Sequence, residues 1–88
     1  MVEHEDLYRD FITSHGVAKG KPESTYVSRL KRASKALTVR ISPKVLRSNA
    51  DVERLVRGLS GSRVPPKAIS DIRAAMREYI DMVAALDL

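Results

Sequence analysis

The spacing of apolar residues near the end of this chain narrows the folds open to it. Ile69, Ile72, Met76, Tyr79, Ile80, Val83 and Leu86 recur every three or four residues over five turns, the period of a helix with one buried face. A helix of about residues 66–86 needs neighbours to cover that stripe, and an 88-residue chain has room for one such core. A chain this short buries only about 60–70% of the surface its unfolded form exposes, which limits its stability.

Three shorter segments supply the cover. Leu7, Tyr8, Phe11 and Ile12 make an apolar patch on a first helix of about residues 3–14. The stretch "HGVAKGKP" interrupts it, because Gly16, Gly20 and Pro22 are unfavourable inside a helix. Pro22 suits the first turn of a second helix, on which Tyr26, Leu30, Ala33 and Leu37 share one side. "TVRI" has extended character but is too short for a sheet, and "SPKVLRS" reads as a Ser-capped, Pro-started helical turn. Ser48, with Asp51 three residues on, opens a third helix whose buried face is Val52, Leu55, Val56 and Leu59. Gly58 or Gly61 ends it. The expected fold is all-α: a compact bundle of four main helices, with the long C-terminal helix packed across the others, in a single domain over 1–88.

Charge divides the chain unevenly. Residues 1–18 carry Glu3, Glu5, Asp6 and Asp10 against Arg9, a net −3, while residues 48–88 carry six charges of each sign. Between them, Lys19, Lys21, Arg29, Lys31, Arg32, Lys35, Arg40, Lys44 and Arg47 stand against Glu23 alone, a net +8. On the second helix, Arg29, Lys31, Arg32 and Lys35 lie opposite the apolar stripe. Such asymmetry points to an anionic partner, with nucleic acid the commonest, and these nine cations are expected to form one contiguous electropositive surface. Arg73 and Arg77, one turn apart on the last helix, are second-rank candidates that equally suit acidic partners or cover the core with their stems. The same basic face suits an acidic protein surface, as a small interaction module or inhibitor, or serves solubility alone.

No constellation for catalysis or a cofactor is visible. His4 and His15 are eleven residues apart and lack the i, i+4 geometry of a helical metal pair. The acidic cluster of the first helix suits a solvated N-terminal turn. Cysteine is absent, so thiolate chemistry and disulfides are excluded. No phosphate loop, zinc spacing or nucleophile elbow occurs. The reading is a non-enzymatic, soluble cytoplasmic protein without a membrane span or secretory leader. Excess apolar surface on the last helix, such as Met82 and Leu86, offers a route to self-association.

From about Asp6 to Val83 the order of features resembles the N-terminal core-binding (SAM-like) domain of tyrosine recombinases and phage integrases. "LYRDFITSHGVAKGKPESTYVSRLKRASKAL" is similar to that family's opening helix, loop and second helix, with Ser/Thr shortly before an aromatic. "DVERLVRGLSG" resembles its short third helix, and "VPPKAISDIRAAMREYIDMV" its last. There the family runs Ser-Pro-x-Thr-Ile, then Ser-Ala-Leu-Arg, then an aromatic. This chain has Pro66, Lys67, Ala68 and Ile69, then Ala74, Ala75, Met76 and Arg77, then Tyr79. Ala68 stands where the family often has Thr, and Asp71 takes an outward position that is commonly polar or basic. The resemblance implies duplex DNA binding by clamping one face, in partnership with a catalytic domain of the same larger protein. That domain, with its Arg, His and nucleophilic Tyr, is absent here, so strand cleavage is not implied.

Overall fold

A computed structural model describes residues 1–14 and 23–88. Among these residues four helices follow one another: α1 (Glu5–Ser14), α2 (Glu23–Leu37), α3 (Asn49–Ser60) and α4 (Pro66–Ala85). The all-α bundle expected from the sequence is the fold observed. The loop "HGVAKGKP", with His15, Lys19, Lys21 and Pro22, lies outside the described residues.

α4 packs against all three other helices, and α2 also touches each of them. That central position widens the buried arc of α2. Val27, Leu30, Ala33 and Ser34 are buried, while Tyr26 and Leu37, expected at the centre of the stripe, are half-buried at its edge. At about 100° per residue the buried positions turn towards Val27 and Ser34, because α1 covers that flank as α4 covers the other. On α1, Tyr8, Phe11 and Ile12 are buried as expected, but Leu7 points outward. Met82 is fully buried, so it belongs to the core and not to a self-association surface. Leu86 is exposed, and with Leu7, Asp10, Phe11 and Ser14 it lines a shallow notch of about 200 Å³.

Two buried tyrosines tie the ends of the chain together. Tyr8 donates its hydroxyl proton to the Ala75 carbonyl on α4 at 2.8 Å, and Tyr79 donates to the Glu3 carbonyl at 2.8 Å. Their rings lie 5.6 Å apart, tilted by 43°, which suits aromatic packing. Burial pushes the Tyr8 hydroxyl pKa well above its ordinary value, and pushes that of Tyr79 up to about 12.

Within "TVRI", Ile41 lies alongside Val2 in parallel, the one bridge among the described residues. Glu3 N–H donates to the Ile41 carbonyl at 2.8 Å and Ile41 N–H to that of Met1 at 2.9 Å. The Met1 amine also donates to Ser34 Oγ, so the amino-terminal segment straps the end of α2. α2 stops at Thr38, whose φ of 52° is left-handed. Val39 N–H donates to the Ser34 carbonyl and Thr38 N–H to that of Lys35, the two bonds of a Schellman cap, with threonine where glycine is usual.

"SPKVLRS" forms the expected Ser-capped, Pro-started turn, with Val45 N–H also donating to Ser42 Oγ at 3.4 Å. Val45 and Leu46 N–H both donate to the Ser42 carbonyl, and the chain then runs on so that Leu46 joins Ile41 in the core. α3 starts as expected at Ser48. The Asp51 carboxylate accepts the Ser48 N–H at 3.2 Å and the Arg47 N–H at 3.0 Å. These backbone bonds, the Arg47 one foremost, hold its pKa below the usual carboxylate value. α3 runs through Gly58 to a cap at Gly61. Gly58 serves instead where α2 and α3 meet: a Cβ there would stand 2.9 Å from Leu37 Cδ2.

Candidate nucleic-acid interface

The first turns of α2 and the amino-terminal half of α4 border an open groove of about 440 Å³. Ser24, Thr25, Ser28, Arg29 and Arg32 line it from α2, and Ala68, Asp71 and Ile72 from α4. The helical period explains the α2 wall. Residues 25, 29 and 32 fall on the arc flanking the buried stripe, on the side that faces α4. Arg29 is half-buried, its guanidinium carbon 4.9 Å from the centre of the Tyr26 ring, so a cation–π contact fixes its direction. Arg32 and Lys35 are exposed, and among the described residues neither forms an ion pair.

Chemically this wall is a set of donors. Two guanidiniums present fixed forks suited to phosphate oxygens, and three hydroxyls can donate beside them. The backbone N–H groups in the first turn of a helix also lack intrahelical partners, and the positive end of the α2 dipole lies at the groove.

The described cations do not form the single surface expected: Lys31, Lys35 and Arg40 line a second opening, at the end of α2, and the others lie elsewhere. Lys31 lies on the α1 flank, where its Nζ is 3.4 Å from Glu5 Oε1. Arg40 is 3.6 Å from Glu3 Oε2, and its Nη2 also reaches the Met1 sulfur at 3.3 Å. The acidic amino-terminal segment thus neutralises the edge of the patch nearest to it. Lys44 is exposed on the turn after α2. Arg47 donates to the Leu88 carbonyl at 3.3 Å, beyond the carboxyl end of α4, while the groove lies by Ala68–Ile72. From Ile72 to the end of α4 the helix rises about 20 Å. Lys19 and Lys21 fall outside the described residues.

Arg73 and Arg77 face α3. Glu53 takes both, at 3.2 Å to Arg73 and 3.7 Å to Arg77. They are on the flank of α4 turned away from the groove.

Arg57, Arg63 and Lys67, which are not among the sequence candidates, are all exposed and without an ion pair among the described residues. Lys67 directly precedes groove residue Ala68. The zero net charge of residues 48–88 hid them, because that balance counts acids already held by other arginines. Asp51 pairs with Arg54 at 3.1 Å, and Glu53 with two arginines. A signal was available in the i, i+3 spacing of Asp51 and Arg54, which marks that acid as locally engaged.

Among the described residues, no helix is long and apolar enough to cross a membrane. Comparison of the chain with protein-family models, with curated proteins and with solved structures finds no match.

Proposed function

We propose that this domain binds duplex DNA by its phosphates, through the outer face of α2 and the groove that α2 forms with α4. The observation that carries the reading is the convergence of Arg29, Arg32, Ser24, Thr25 and Ser28 on one open groove. Lys35, one turn past Arg32, adds an exposed cation to the outer face of α2, where it lines a second opening with Lys31 and Arg40, and Lys67 directly precedes groove residue Ala68. The resemblance to recombinase core-binding domains supports the same reading, since those domains clamp one face of a duplex as a module of a larger recombinase. The role is binding, with no chemical step assigned to this chain.

Each phosphate neutralised by Lys or Arg releases condensed counterions, so affinity falls with salt at a slope of about −0.9 per contact. Phosphate contacts set position and register without reading sequence. The test is a fluorescence titration of labelled duplex at several salt concentrations, with the wild type and a variant in which Arg29, Arg32 and Lys35 are all replaced by Gln. Binding weakens in the variant, and the slope becomes shallower by up to about 3. An unchanged slope and affinity would end the proposal. Retention of an acidic polypeptide together with indifference to duplex would favour a protein partner instead.

A further inference from the structure

The groove contains one group that phosphate binding does not explain. Asp71 projects from α4 into the same opening as Arg29 and Arg32. A carboxylate beside a bound phosphate repels it, so a groove serving phosphate alone would be better without one. Asp71 is exposed and forms no ion pair among the described residues. Yet Lys67 precedes it by one turn, and two arginines line the opposite wall. Its oxygens are therefore free to accept.

An ionised carboxylate only accepts hydrogen bonds, so its ligand must offer a donor. The phosphates and deoxyriboses within a DNA strand offer none. In the major groove, the donors on base edges are the exocyclic amines of cytosine and adenine. We infer that Asp71 reads sequence: it accepts a hydrogen bond from a cytosine N4 or adenine N6 amine next to the phosphate held by Arg29 and Arg32. Ala68, one turn before Asp71 on the same wall, presents a methyl group, which suits the thymine methyl of an A·T pair. The inference rests on the DNA reading above and gives that face the specificity that phosphate contacts lack.

The test is enrichment from a pool of duplexes with a randomised centre, using the wild type, D71A, D71N and an R29Q/R32Q double variant. Circular dichroism confirms that each is folded, which an exposed position such as 71 favours. The wild type enriches cytosine or adenine at one position. D71A loses that preference while its affinity for the unselected pool stays within about threefold or rises. D71N shifts the preference towards adenine, because an amide pairs with both N6 and N7 of that base. A wild type without preference, or a D71A variant with the wild-type preference, overturns the inference. Loss of pool binding in R29Q/R32Q is a separate readout. If that variant binds the pool as the wild type does, the DNA face itself is wrong, whatever position 71 selects.

Discussion

The Tyr79 hydroxyl donates to the Glu3 carbonyl at 2.8 Å, joining two residues 76 apart in the chain. Removing the hydroxyl leaves that carbonyl without this bond while the ring still fills its place. Tyr79→Phe should therefore cost about 1–2 kcal/mol. In a domain this small that lowers the melting temperature by roughly 4–16 °C, measurable by thermal denaturation. A melting temperature equal to wild type would show that the bond adds nothing.

Alkali should act through the same pair. Tyr79 is raised from 10.0 to about 12 and Tyr8 is raised also, both chiefly by burial. Each stays protonated in the fold where the unfolded chain has released its proton. Their contribution is thus whole below about pH 10 and is lost as pH rises towards and beyond 12. Denaturant midpoints measured from pH 8 to 11.5 should fall above pH 10, and less steeply in Tyr79→Phe.

Acid should act at the start of α3. Asp51 is held below its ordinary 3.8, first by the Arg47 N–H and also by the Ser48 N–H and Arg54, against some desolvation. A depressed carboxyl stabilises the fold above the unfolded value and loses that contribution as pH falls through the folded one. Asp51→Asn should destabilise by about 0.5–1.5 kcal/mol at neutral pH. It should also flatten the stability profile between pH 5 and pH 2, followed by denaturant unfolding.

Thr38 has a φ of 52° at the end of α2, a conformation that disfavours a β-branched side chain. Glycine there should relieve the strain by more than it adds in unfolded-chain entropy. Thr38→Gly is expected to raise stability by about 0.5–1 kcal/mol. A loss in the denaturation midpoint would mean that the Thr38 side chain contributes something the backbone geometry does not reveal.

Arg73 and Arg77 share Glu53 on the α3 flank, away from the groove. Replacing both by Gln should leave the salt slope of duplex binding near the wild-type value. The stability cost should stay within about 1 kcal/mol, as for other exposed ion pairs. A slope reduced by nearly 2 would place both arginines on the DNA and move the interface around α4.

Much of the fold was legible in local pattern. The α3 face Val52, Leu55, Val56 and Leu59 is buried as the spacing predicts, because that helix buries a single stripe. On α2 the prediction drifted, since a helix enclosed on several sides buries Val27 and Ser34 as well as the central stripe. "SPKVLRS" was legible too, because Ser42 and Pro43 are local signals for one capped turn, and that turn stands between buried Ile41 and Leu46. Leu7 and Met82 exchange their expected places because nothing along the chain says which flank of a helix a distant neighbour will cover.

Periodicity and charge are properties of consecutive residues, so four helices, one core and a basic middle third can be read along the chain. Which cations lie together depended on the packing of the helices. That packing set Arg29 and Arg32 across from Asp71, gave Lys31 and Arg40 to the acids of the amino-terminal segment, and placed Arg47 at the far end of α4. The difference is one of range: pairing and groove formation depend on distances of a few ångströms between residues far apart in the chain, and packing alone fixes those distances.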